Sequence, residues 1–172
     1  MDLSTTDFTA ARLDQANLDG ANLGGINLSQ ACLVGANLSS LTMNDGDLRG
    51  ADLSNASLLD TDLINCNLTG ARLNNALLDD AICENTDFSK AQMLSANLHV
   101  GFYNYCNFTD VDLTQANLGH SNFIGSNFTN ANFTGADLSG ADFTNAIGLT
   151  QQQLDSARSD DDDYISKNHK HE

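Results

Sequence analysis

From Leu3 to Phe143 an apolar residue returns at every fifth position without one slip of register, and nothing else in this 172-residue chain restricts its fold as tightly. Of the 29 positions in that register, 25 are Leu or Phe; the exceptions are Met43, Cys83, Met93 and Tyr103. Two residues earlier, 16 of the 29 are Ala, and one residue earlier, 20 are Asn or Asp. Neither the apolar register nor the Ala register holds a charged side chain. A period of five matches neither the 3.6 of a helix nor the 2 of a strand. A helix would spread these Leu residues around all its sides, and a flat strand would alternate them between two faces. A short extended stretch followed by a tight turn, repeated, sends every fifth residue inward. Ser, Thr, Gly, Asn and Asp dominate the two remaining positions. Such residues suit turns, through freedom at positive φ or through side chains that bond to nearby backbone. The chain has no proline, as expected of a ladder that uses its amides throughout.

Ala16-Asn17-Leu18-Asp19-Gly20, Ala51-Asp52-Leu53-Ser54-Asn55 and Ala136-Asp137-Leu138-Ser139-Gly140 show the unit most plainly. In this the sequence resembles the pentapeptide-repeat proteins, whose motif is A-(D/N)-L-x-x, over Met1 to about Asn145. The resemblance implies an all-β solenoid, a right-handed quadrilateral β-helix with four repeats, hence twenty residues, per coil. Residues twenty apart then stack. One inner column becomes Leu18, Leu38, Leu58, Leu78, Leu98, Leu118 and Leu138; another changes from Leu to Phe at Phe88. At a ladder spacing of about 4.8 Å the rod is roughly 35 Å long.

The chain divides into a repeat rod over 1–147, a capping helix over 148–158 and an acidic tail over 159–172. Thr150 is placed as N-cap, Gln153 completes a capping box, and Leu149 with Leu154 can form a hydrophobic staple. That helix would cover the last coil. Met1-Asp2-Leu3 is already a repeat, so the first coil is left uncovered, and unpaired edges invite pairing. The expectation is a homodimer through an end of the rod, or a chain cut from a longer one.

Several function classes fall on composition and motif. No run of about 18 apolar residues is present, so no membrane partner is expected. The N-terminus lacks the basic and apolar regions of a signal peptide. A net charge of −16 argues against direct nucleic-acid binding, which needs Lys and Arg against phosphate. Cys66 and Cys106 share an inner column two coils apart, too far for a disulfide. Four free thiols are therefore expected, as suits a cytoplasmic protein. No nucleophile elbow, P-loop, zinc spacing or dinucleotide fingerprint appears. A filled rod offers no pocket, so no enzyme and no cofactor are expected. His99 and His120 fall near Asp79 and Asp80, but no Cys or third His joins them and no metal is expected there. The tail residues His169 and His171 read as a polar end.

Two surfaces remain. Residues 1–147 hold 17 acids and 4 bases (Arg12, Arg49, Arg72, Lys90), a net 17 − 4 = 13 negative charges. One ladder carries Asp7, Asp47 and Asp87 among Asn residues, an acidic face whose side chains also suit local turn bonds. A narrow acidic rod is similar to the pentapeptide-repeat proteins that mimic DNA and bind DNA gyrase, a type II topoisomerase, protecting it from quinolones. The second surface is a break in the pattern. Leu77, Ile82 and Phe102 replace outward Asn or Asp, and Leu59, Ile64, Leu94 and Ile124 follow inward residues, with Val100 and Tyr105 at corners. A contiguous apolar patch marks a partner site; cross-coil packing of the outer face is the other reading. The sequence thus points to a non-enzymatic scaffold that binds another protein, with a gyrase-binding DNA mimic as the alternative.

Overall fold

A computed structural model describes residues 2–158; the acidic tail expected over 159–172 lies outside the described residues. Parallel bridges join residues twenty apart, from Asp2–Asn22 through Asn127–Ile147, so the chain winds as a right-handed quadrilateral β-helix. Four ladders define four faces. Face 1 carries Asp2, Asn22, Thr42, Asp62, Ile82, Phe102, Asn122 and Asp142. Face 2 runs from Asp7 to Ile147, face 3 from Arg12 to Asn132, and face 4 from Asn17 to Asp137.

The five-residue unit explains each bond. The amide of the inward residue donates to the next coil, as Leu28 to Asp47 O at 2.7 Å, and the outward residue's amide donates to the coil before, as Asp47 to Ile26 O at 2.9 Å. The amide at the Ala position closes the corner, as Ala31 to Leu28 O at 3.0 Å. The fifth residue turns the chain with positive φ, about 54–68° through the rod. That region is easy for Gly and tolerable for Asn and Asp, which explains the composition of the corners. The outward Asn or Asp locks the same corner, accepting from the amide two residues on. Asn27 Oδ1 to Ser29 N and Asn67 Oδ1 to Thr69 N, both 3.0 Å, are typical. At Asp62 the rule is broken, and the Ile64 amide goes to Asn44 Oδ1 at 2.9 Å.

Inside, the Leu and Phe positions from Leu23 to Phe143 are buried along with the Ala column. Each buried Leu is worth about 1.5–3 kcal/mol. In the upper coils Phe88, Phe108 and Phe128 stack in parallel at 5.0 and 4.9 Å between centroids. Tyr103, Phe123 and Phe143 form a second stack at 5.1 and 5.3 Å. Tyr103 is wholly buried, its hydroxyl donates to Leu78 O at 3.0 Å, and Gly101 stands where Ala is usual. A Cβ on Gly101 would lie 2.5 Å from the Tyr103 ring. The polar residues in the Ala column are satisfied: Thr61 donates to Leu38 O at 2.8 Å and Ser126 to Tyr103 O at 2.5 Å.

Helix α1, Gln151–Ser156, closes the upper end with the capping box of Thr150 and Gln153. Gln153 Nε2 also donates to Phe128 O and Ala131 O, both at 2.9 Å, so the cap is bonded to the last coil. Leu149 and Leu154 pack against the core. In the first coil Leu3, Phe8, Leu13 and Leu18 are only half-buried.

Candidate functional site

Ile82 and Phe102 occupy successive rungs of face 1, joined by a parallel bridge. The Phe102 amide donates to Ala81 O at 2.9 Å and the Cys83 amide to Phe102 O at 2.7 Å. Phe102 is 48% exposed and Ile82 half-buried. Neither side chain can accept a hydrogen bond, so neither makes the turn bond that an Asn or Asp makes at this position. Val100, at the corner just before Phe102, holds φ 60°, a conformation that a β-branched residue rarely adopts. Tyr105, at the corner just after it, lays its ring over Gly125, where a Cβ would lie 2.7 Å away. Ile124 sits beside that corner on the next coil, its carbonyl accepting from the Tyr105 amide at 2.9 Å. Ile124 N bonds to Asn122 Oδ1 at 3.1 Å, and the buried Asn104 Oδ1 beneath it is left without a partner.

The structure brings Ile82, Phe102, Tyr105 and Ile124 together with Val100. It does not join them into one surface with the other apolar positions. Leu77 lies on face 4, and Leu59 lies on the corner between faces 4 and 1, one coil below Asp79 and next to Asp60, the Leu58 amide donating to Leu77 O at 2.7 Å. Leu94 lies over Asn74, whose Oδ1 accepts from the Leu94 amide at 3.0 Å. The corner that carries Asp60, Asp79 and Asp80 runs between Leu77 and face 1, and on it the carboxylates of Asp79 and Asp80 stand one coil above Leu59 and Asp60. Ile64 stands two coils below Asn104 on its column, with Glu84 between.

Asp7, Asp47 and Asp87 lie on face 2 at every second rung. The Thr9 hydroxyl and then its amide hold the Asp7 carboxyl below the usual carboxylate range. Arg49 binds Asp47 with both ends of its guanidinium, at 2.9 and 2.6 Å, and lowers its carboxyl likewise. Face 2 is thus partly neutralised, and the stronger asymmetry lies elsewhere. Face 1 and its two flanking corners hold Asp2, Asp19, Asp45, Asp60, Asp62, Asp79, Asp80, Glu84 and Asp142. These are 9 of the 17 acids in residues 1–147. All four bases fall on face 3 or on the corner between faces 2 and 3. Arg72 reaches Asp52 at 3.3 Å there, and Arg12 reaches Asp14 at 3.6 Å. This sidedness is present in the sequence once acids are counted by their position in a 20-residue period.

Burial pushes the thiols of Cys66 and Cys106 up to about 12 and that of Cys83 well above its usual value. Cys32 donates to Asp14 Oδ1 at 2.7 Å, and the bond raises its thiol as well. The rings of His99 and His120 meet edge to face at 5.6 Å, and no group of three metal-ligating side chains occurs among the described residues. A shallow groove between α1 and the last coil is lined by Thr129, Asn130, Asn132, Gln152, Ser156 and their neighbours, with no titratable side chain. No helix of the described residues is long and apolar enough to cross a membrane.

The family model for pentapeptide repeats matches residues 1–30, 31–70, 66–99 and 106–145. Among solved structures, a trypsin-treated variant of QnrB1, described as a plasmid-mediated fluoroquinolone resistance protein, is similar with a TM-score of 0.80. It is 21% identical, over 92% of this chain and 81% of that one. HetL, a pentapeptide repeat protein involved in heterocyst differentiation regulation from the cyanobacterium Nostoc sp. strain PCC 7120, is 25% identical over 91% of this chain and 82% of its own, with a TM-score of 0.29. Comparison with curated protein sequences gives no match. A rod whose five-residue unit, twenty-residue coil and Asn/Asp corner bonds all follow from one motif belongs to the pentapeptide-repeat family.

Proposed function

We propose that this chain is a non-enzymatic protein-interaction scaffold that docks its partner on the middle of face 1. One observation carries the reading: the apolar residues there are installed against the local rules of the fold. Ile82 and Phe102 give up corner bonds made on most rungs, and Val100 holds a left-handed corner. A side chain in that region costs of order 1–3 kcal/mol. Residues that break a local rule and leave a large apolar side chain in water are best explained by what they meet outside the chain. Ile82→Asn with Phe102→Asn tests this. Recovery of a partner from extracts is expected to be lost while the rod stays folded; unchanged recovery contradicts the reading.

A second reading is a DNA-mimicking modulator of gyrase. It is supported by the net charge of −13 over residues 1–147 and by the fold shared with QnrB1, a fluoroquinolone resistance protein. At about 35 Å of rod, this is roughly one charge per 2.7 Å, against about one per 1.7 Å for duplex DNA. A supercoiling assay with purified protein separates the two. A mimic changes supercoiling in a steeply salt-dependent manner, and a docking scaffold leaves it alone. The half-buried Leu3, Phe8, Leu13 and Leu18 of the first coil support pairing with a second copy through that end, which light scattering tests.

A further inference from the structure

Resting on the docking reading of face 1, we propose that its partner is a basic amphipathic protein segment, with Lys or Arg beside an apolar stripe, most simply a helix laid along the rod. The patch is graded along the axis. Asp60, Asp62, Asp79, Asp80 and Glu84 lie below or level with Ile82, whereas the next coils present Val100, Phe102, Tyr105 and Ile124. Among the described residues, face 1 and its corners contain no Lys or Arg. Rungs repeat at about 4.8 Å, well inside the roughly 8 Å over which charges are felt at physiological salt. A partner seated on Phe102 therefore stands in the field of the carboxylates beneath it. The same spacing is close to the roughly 5.4 Å pitch of an α-helix. Successive turns of a helix lying along the rod thus meet successive rungs, apolar side chains on Ile82 and Phe102 and basic ones on the acidic corners.

Charge disfavours other occupants. A second copy meeting face 1 with its own face 1 would oppose nine carboxylates to nine. Meeting it with face 3 would offer Arg12 and Arg72, which already reach Asp14 and Asp52. Anionic lipid and nucleic acid carry the wrong sign. Opposite charge steers encounter and selects the partner, while the apolar pair supplies the area removed from water.

The test is fluorescence anisotropy with a labelled model helix of Leu and Lys and the full chain. Expected is saturable binding weakened about tenfold or more by Ile82→Asn with Phe102→Asn, and similarly by Asp79→Asn, Asp80→Asn and Glu84→Gln together. Neutralising the neighbouring face by Asp7→Asn, Asp47→Asn and Asp87→Asn is expected to change Kd less than about twofold. Loss of binding equal to that of the face 1 set in this last variant overturns the proposal, because the attraction is then that of any acidic rod. Equal binding of a Leu/Glu helix, still dependent on Phe102, overturns the basic partner and leaves the docking face standing. Binding that ignores Ile82 and Phe102 overturns both. A dimer in light scattering that dissociates in the Ile82→Asn, Phe102→Asn variant also overturns it, since the occupant is then a second copy. Melting curves of each variant show that the rod is intact.

Discussion

Val100 and Phe102, two residues apart, depart from the repeat in complementary ways: one holds φ at 60° where Gly, Asn or Asp is easy, and the other takes a place where Asn or Asp would bond the corner. Both departures leave an apolar side chain largely exposed, at 40% and 48%. Both lie in the middle of face 1 and its flanking corner, outside the buried core.

The first expectation follows from Val100 itself. Val100→Asn and Val100→Gly should stabilise the protein, by about 1 kcal/mol, since a β-branched residue in the left-handed region is strained by an amount of that order. Urea melts compare the variants, and a lower midpoint for both would show that the Val100 side chain is held by contacts within the rod.

Gly101 and Tyr103 should be coupled. Gly101→Ala places a methyl 2.5 Å from the Tyr103 ring and should cost about 1–3 kcal/mol, as overpacking does. In a Tyr103→Leu background, the repeat's own Ala-x-Leu arrangement is restored and the same substitution should be nearly neutral. A double-mutant cycle reads the difference; equal costs in both backgrounds would remove the steric account.

Thiol chemistry should follow burial. Cys66, Cys83 and Cys106 are buried with raised thiols. Only the thiolate reacts. At about pH 8 the folded chain should yield no rapid reaction with a disulfide reagent at these three, and Cys32, donating to Asp14, should react slowly. All four should react at once in denaturant. Fast native labelling of more than one thiol would contradict the packing described.

Acid should weaken the rod in a defined window. Hydrogen bonds from Thr9, Arg49 and Ser139 hold the carboxyls of Asp7, Asp47 and Asp137 below their usual value. A carboxyl lowered in the folded state stabilises it fully above the unfolded value of about 3.9, and that contribution is lost as pH falls through the lowered folded value. Melting temperature should therefore drop below about pH 4. Asn27 and Asn107 make the same turn bond without titrating, so Asp7→Asn with Asp137→Asn should make the drop shallower. An identical drop would place the acid sensitivity elsewhere.

Much of the architecture was legible because one period controls it. The Leu/Phe and Ala registers name the core; Thr150 and Gln153 announce the cap; Asn and Asp before each inward residue announce the corner bonds. What escaped has physical reasons. Gly101 reads as one more small residue until Tyr103 is seen filling the space of a missing methyl. The apolar positions from Leu59 to Ile124 look like one patch in a linear reading, and only the four-sided winding shows the acidic corner that separates Leu77 from Phe102 and sets Asp79 above Leu59. Asp7, Asp47 and Asp87 attract notice as a regular column. The denser acidic side is spread over three positions of the repeat and emerges only when the coil is closed. The bond from Cys32 to Asp14 crosses from one coil to the preceding one, so nothing local in the sequence announces it.

The most direct measurement is a paired one on the Ile82→Asn, Phe102→Asn variant: thermal melting and partner recovery from the same preparation. Asn at these rungs offers an acceptor for the Glu84 and Asn104 amides, the bond that Asn27 gives Ser29. The account predicts a melting temperature equal to or above that of the natural sequence, with partner recovery abolished. A lowered melting temperature with recovery intact would mean that Ile82 and Phe102 serve cross-coil packing, and the docking face would be wrong.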